Sequence, residues 1–167
     1  MDKLGLIILA GGLSTRMGQP KALLSWVGGE SLISHALRKG LDADVHDILI
    51  SIGDDEQLGH AIQTHIIDTL SNDEQEKVSI VRDSIERCGP LGGLYSALAV
   101  GTSPAYAVMA VDMPFMSMDL YYEWLYQVNH NNWTAIVPTG ATGRPEPMAG
   151  IYRPHIVSLL PTILAGE

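Results

Sequence analysis

Close to the start of the chain, Leu4-Gly5-Leu6-Ile7-Ile8 forms an apolar run that never alternates with polar residues. A run of this kind reads as a strand covered on both faces, as in a parallel sheet flanked by helices. Ile48-Leu49-Ile50-Ser51-Ile52-Gly53, Val78-Ser79-Ile80-Val81-Arg82-Asp83, Ala105 to Val111 and Thr134-Ala135-Ile136-Val137-Pro138 supply four more strands. Between them the period changes. Leu32, Ile33, Ala36 and Leu37 recur at helical spacing from Ser31 until Arg38-Lys39-Gly40 closes the helix. Asp54, Asp55 and Glu56 start the next helix, where acidic side chains suit the positive end of the dipole. Leu94 to Ala99 is a small-residue helix, Leu120 to Val128 an amphipathic one rich in Tyr and Trp, and Ile156 to Leu164 a last one with Leu159, Leu160 and Ile163 inside. Thr69 to Lys77 is acid-rich and reads as a surface excursion. Strands alternating with helices predict a three-layer α/β fold with a mostly parallel sheet, in a single domain over residues 1–167.

Composition narrows the classes. With 46% hydrophobic and 17% charged residues the chain can bury a core unaided. A net charge of −9 excludes a general nucleic-acid binder, which needs clustered Lys and Arg, but not a nucleotide held at one local positive site. Cys88 is the only cysteine, so no intrachain disulfide forms and a reducing compartment is expected. Met1-Asp2-Lys3 has no leader character and no run reaches membrane-spanning length, which makes the cytoplasm the default expectation. The six histidines show no zinc-ligand spacing, and His35 reads as locally satisfied rather than catalytic.

The candidate chemistry starts where the first strand ends, in Leu9-Ala10-Gly11-Gly12-Leu13-Ser14-Thr15-Arg16-Met17-Gly18-Gln19-Pro20-Lys21. Glycines let main-chain N–H groups approach a ligand closely, and successive free N–H groups make an anion-binding concavity. Arg16 and Lys21 add two cations within one loop's length, so the stretch describes a polyphosphate site. Neither familiar phosphate loop fits. Five residues separate Gly12 from Gly18 and Lys21 follows three positions later, unlike the Walker pattern, and Gly-x-Gly-x-x-Gly is absent. At the tip of the fourth strand, Asp112 precedes the turn Met113-Pro114-Phe115. A carboxylate there faces the ligand crevice of an open α/β sheet and can hold Mg²⁺ together with phosphate oxygens. The alternative, capping the next helix, falls better to Ser117 and Asp119. Asp83 and the block Cys88-Gly89-Pro90-Leu91-Gly92-Gly93 complete the rim; in isolation that block serves equally as a plain strand-to-helix turn. Residue chemistry alone thus implies a nucleoside triphosphate with Mg²⁺.

The first loop resembles the Leu-Ala-Gly-Gly-x-Ser-x-Arg-Met-Gly-x-x-Lys signature of nucleotidyltransferases, in its Gly-Gly form that of the MobA branch, the molybdenum cofactor guanylyltransferases. Asp83 with Gly89-Pro90-Leu91-x-Gly93, Asp112-x-Pro114 and Glu146-Pro147-Met148-Ala149-Gly150-Ile151-Tyr152 are similar to further blocks of that family, in the same order, the last being a strand. The resemblance implies a Rossmann-like fold of the nucleotide-diphospho-sugar transferase type and transfer of GMP from GTP to molybdopterin with release of pyrophosphate. It also implies roles: Leu9, Ala10, Gly11, Gly12, Ser14 and Lys21 around the phosphates, Ser51, Asp83, Gly89, Pro90, Leu91 and Gly93 around the nucleoside, Arg16, Lys21 and Asp112 in catalysis, with Mg²⁺ on Asp112 and possible transient contact with a recipient molybdoenzyme. Ser51 stands where the family commonly has Asn, which leaves room for the sister activity, cytidylyl transfer to the same pterin. That branch usually carries Ala-Gly in the first loop and lacks Gly-Pro-Leu-x-Gly. Family members usually continue past Gly166-Glu167 with a strand and an Asn-containing segment, so this is either a shortened form or one lacking its C-terminus, and a non-catalytic accessory protein that binds nucleotide or cofactor is the reading from another class.

Overall fold

The structure, a computed structural model, describes residues 3–12, 19–84 and 89–159. Six strands form one sheet: β1 (Leu4–Leu9), β2 (Ile48–Ser51), β3 (Val78–Val81), β4 (Ala105–Ala110), β5 (Ala135–Ile136) and β6 (Ile151–Tyr152). Their order across the sheet is β3-β2-β1-β4-β6-β5. β1 runs parallel to β2 and β4, and β2 parallel to β3, whereas β6 is antiparallel to both β4 and β5. Among the described residues five α-helices join them: α1 (Leu32–Asp42), α2 (Glu56–His65), α3 (Asn72–Glu76), α4 (Gly89–Val100) and α5 (Met118–His130).

Every residue of β1 is buried, and the strand's period of two divides them between two cores. Leu4, Leu6 and Ile8 join Ile33, Ala36 and Leu37 of α1, Leu58 and Ile62 of α2, and Tyr121, Leu125 and Val128 of α5. Ile7 and Leu9 face the other way, toward Leu94, Ala97 and Leu98 of α4. The run lacks alternation because both faces are apolar. Gly5, its one gap, lies opposite Tyr106 in the β1–β4 register, and a Cβ there would meet the Tyr106 ring at 2.2 Å. Tyr106 Oη donates to Asp47 at 2.5 Å and accepts from Ser103 N at 2.9 Å, while burial pushes the phenol up to about 12. These contacts close the foot of the sheet, leaving the carboxyl ends of the parallel strands at the other end.

Several expected elements differ. The fifth and sixth strands shrink to Ala135–Ile136 and Ile151–Tyr152, where Pro138 and Pro147 lack the N–H a ladder needs. Pro147–Ala149 is instead a 3₁₀ turn. α4 begins at Gly89, so Gly92 and Gly93 lie inside the helix, and Pro90 falls in its first turn where no intrahelical N–H is required. The excursion Thr69 to Lys77 contains α3, closed by a capping box between Ser71 and Glu74. In place of a helix from Ile156, the described residues form a 3₁₀ turn at Pro154–Ser158. Leu159 is half exposed rather than inside, and Leu160 and Ile163 lie outside the described residues. Among the described residues no helix is long and apolar enough to cross a membrane.

Candidate active site

Two parallel strands end side by side and turn differently. Beyond β1, Ala10 N and Gly11 N both donate to Ser51 O, at 2.8 and 2.9 Å. With those two amides committed to the neighbouring strand, donation from this loop to a phosphate begins no earlier than Gly12. Gly12 itself has φ +154°, a backbone setting that side chains rarely take. Gly11 is needed for a different reason: a Cβ would lie 2.5 Å from Gly53 N and 2.6 Å from the Ile52 carbonyl carbon. Gly53 permits the approach by turning left-handed, at φ +63°. Sequence reasoning assigned Gly53 no part in the site; its signal was a glycine closing the second strand just before Asp54-Asp55. Ser14 and Arg16 lie outside the described residues, as does Cys88.

Lys21 opens a short 3₁₀ turn, Lys21–Leu23, pinned by the fully buried Ala22. Asp112 arrives from the other direction. Val111 N donates to Leu9 O at 3.1 Å, so pairing between the central strands continues past β4 and delivers Asp112 beside the glycine loop. Across 91 residues of sequence the two side chains meet: Lys21 Nζ donates to Asp112 Oδ2 at 3.2 Å. The side chains are 50% and 48% exposed, so the pair contributes only about 0–1 kcal/mol to stability and opens readily. Among the described residues no three or more His, Cys, Asp or Glu converge. A divalent cation at Asp112 could take that carboxylate together with ligand oxygens and water, as Mg²⁺ is commonly held, and the donor chemistry fits it.

The second half of the rim is built on β2, β3 and α4. Asp83 N donates to Gly53 O at 3.2 Å, tying the end of β3 to the end of β2. Ser51, 3% exposed, donates through Oγ to Asp83 Oδ1 at 3.3 Å. Burial pushes the Asp83 carboxyl above its ordinary range; the Ser51 hydrogen bond opposes this and the charge of Asp54 adds to it. Gly93 lets α4 lie against the pair, since a Cβ there would meet Ser51 Oγ at 2.4 Å and Asp83 Oδ1 at 3.4 Å. Ser96, one turn on, accepts from Ser84 N and donates to Gly92 O, both at 2.8 Å. This hydroxyl fastens the segment after Asp83 to α4. It was missed in the sequence, where one Ser among small helical residues carries little signal. Gly89, Pro90 and Leu91 form the first turn of α4, with Leu91 packed on the second core. Leu9 and Ala10 are buried, so their side chains make the floor of the loop rather than its surface.

The rim therefore carries a cation and a carboxylate at one place and a desolvated carboxylate at another, both at the carboxyl ends of parallel strands, where open α/β sheets take ligands. A family model described as MobA-like NTP transferase domain matches residues 6–167. A probable molybdenum cofactor guanylyltransferase of Bacillus thuringiensis (strain Al Hakam) is 30% identical over 168 residues, covering 100% of this chain and 76% of the relative. The protein of that name in Bacillus cereus (strain 03BB102) matches with the same identity and coverage, 30% over 168 residues. Among solved structures, molybdopterin-guanine dinucleotide biosynthesis protein A of Archaeoglobus fulgidus superposes with a TM-score of 0.71 at 22% identity, over 97% of this chain and 73% of that one. A CMP:2-keto-3-deoxy-manno-octonic acid synthetase complexed with CTP gives 0.66 at 16% identity, over 96% and 78%. At such identities the superpositions show the shared fold, the Rossmann-like type of nucleotide-diphospho-sugar transferases.

Proposed function

The chain belongs to the MobA-like NTP transferase family and is a nucleotidyltransferase, and from that premise we propose that it transfers GMP from GTP to molybdopterin in molybdenum cofactor biosynthesis. The observation that carries this reading is the 3.2 Å approach of Lys21 to Asp112 beside the glycine loop. It supports the reading because a cation and a carboxylate side by side at the strand ends could serve a triphosphate and its metal ion.

In the proposed reaction an oxygen of the molybdopterin phosphate forms a bond to the α-phosphorus of GTP. The bond from that phosphorus to the bridging oxygen breaks, and pyrophosphate leaves with the electron pair. No side chain need remove a proton, because a phosphate monoester is already largely ionised near neutral pH. Backbone N–H groups from Gly12 onward, with Ser14 and Arg16, hold the terminal phosphates. Lys21 turns from Asp112 to the α-phosphate and offsets the charge that builds there. Asp112, so released, would hold Mg²⁺, which would supply further charge neutralisation. Asp83 presents acceptor oxygens to the N–H edge of guanine, with Ser51 holding one of them in place. The glycine-led start of α4 lets the base lie close to the main chain. Together these residues orient the reactants and stabilise charge, which is what phosphoryl-type transfer chiefly requires.

Pyrophosphate release measured with GTP, CTP and ATP, with and without molybdopterin, tests the reading. Release should require both GTP and the pterin. Lys21→Ala and Asp112→Ala should each lower turnover by about a hundredfold or more while circular dichroism stays native. Near-normal transfer in both variants would overturn the site; preference for CTP would move the protein to the sister activity. Binding of GTP with no release under any of these conditions would make it an accessory binder.

A further inference from the structure

The turn after Asp112 has few anchors of its own. Pro114 has no N–H, and Phe115 is 85% exposed, its ring meeting the edge of Trp26 at a centroid distance of 5.5 Å. Main-chain bonds from Met113 N to Ala110 O (3.0 Å) and from Met116 N to Met113 O (3.2 Å) shape the turn. Met113 and Met116 rest partly buried on the core beneath it, and α1 adds a second hold from outside. Lys39 Nζ donates to Pro114 O and also to Met116 O at 2.7 Å, so one ammonium spans the turn. His35, four residues earlier and so on the same face of the helix, places Nε2 3.2 Å from Pro114 O and Nδ1 2.9 Å from Glu30 Oε1. Both partners are acceptors, and a neutral ring carries a single N–H. α1 itself is anchored by the buried Ile33, Ala36, Leu37 and Gly40.

We propose that His35 and Lys39 are positioning residues for divalent-cation binding: together they hold the Pro114–Met116 turn and so aim the Asp112 carboxylate. The proposal rests on Asp112 being the protein ligand for the cation. Burial lowers the Lys39 pKa from its ordinary value, so the ammonium is partly withdrawn from water and the two carbonyls replace its hydration. Partners one step removed from a metal ligand commonly change metal affinity about 10- to 100-fold when removed.

Mn²⁺ titrated into the protein with saturating GTP, followed by the electron paramagnetic resonance signal of the free ion, tests this. Lys39→Met should raise the Mn²⁺ dissociation constant about tenfold or more. GTP affinity in EDTA should be unchanged, and Lys39→Arg, which can still reach both carbonyls, should recover most of the loss. The sign is diagnostic. Deleting a positive charge near a cation site would by Coulomb's law tighten cation binding, so weaker binding can only come from lost positioning. His35→Asn should weaken binding in the same direction and decides the matter if Lys39→Met does not fold. Mn²⁺ affinity within twofold of the parent protein in every folded variant would overturn the proposal. Asp112→Asn separates the two layers. If it abolishes Mn²⁺ binding while the α1 variants do not, the positioning role alone falls; if it leaves binding intact, the assignment of Asp112 falls and the positioning role with it.

Discussion

Gly93→Ala adds one methyl group, and its effect should reverse sign with the residue at position 51. Gly93 lies inside α4, where replacing Gly by Ala gains about 1 kcal/mol of helix propensity. Against this, the new Cβ would stand 2.4 Å from Ser51 Oγ. Overpacking of this kind costs about 1–3 kcal/mol. If the hydroxyl rotates away instead, its bond to Asp83 is lost at about 1 kcal/mol. Set against the helix gain, a net destabilisation of about 0–2 kcal/mol follows, smallest where the hydroxyl rotates. In a Ser51→Ala background the 2.4 Å obstacle is gone, and the nearest remaining atoms, the Cβ at position 51 and Asp83 Oδ1, both lie at 3.4 Å, an ordinary contact. There Gly93→Ala should stabilise by about 0.5–1 kcal/mol, giving a coupling of about 0.5–3 kcal/mol. Urea denaturation of the two single variants, the double variant and the parent closes the cycle. In thermal melts, about 2–4 °C per kcal/mol is expected for a chain of this size. If Gly93→Ala shifts stability equally in both backgrounds, within about 0.5 kcal/mol, the packing of Gly93 on Ser51 described above is wrong.

Gly11→Ala should behave differently, because its obstacles, Gly53 N at 2.5 Å and the Ile52 carbonyl carbon at 2.6 Å, are backbone and cannot rotate aside. A loss of about 1–3 kcal/mol by urea denaturation, with reduced pyrophosphate release, is expected, and unchanged stability would contradict the close approach. For Asp83→Asn the effect depends on pH. The Asp83 carboxyl has a raised pKa in the folded protein, chiefly from burial, so the unfolded chain releases its proton first. Its favourable contribution is complete below the unfolded value near about pH 4 and is lost as pH rises through the folded one. Above the folded value the carboxyl burdens the fold, so Asp83→Asn should stabilise the nucleotide-free protein most at the higher pH while weakening GTP binding. That stabilisation should shrink toward pH 4; a gap in urea midpoints that stays constant from pH 4 to 7 would refute it.

Apolar patterning alone predicted the central strands, since burial on both faces removes polar alternation from β1, β2 and β4, and the helices between them followed from spacing and caps. The glycine loop, Asp83 and Asp112 stood out in the sequence because each follows a strand end directly, and Lys21 because it is a cation close behind the glycine loop. Weak local signals failed where proline shortens a strand, at Pro138 and Pro147, and where glycines that looked like a turn before α4 proved to be its opening turns. Neither the partner of Lys21 nor that of Ser51 could be read from spacing, because each lies on another strand end or loop and is chosen by register. Tertiary structure alone decided that the Gly11 amide goes to Ser51 O, that Gly53 must turn left-handed beside it, and that α1 grips the turn after Asp112. The division has one physical cause. Residue order dictates which strand ends in which side chain, whereas hydrogen-bond register and close packing between strands determine which of those ends touch.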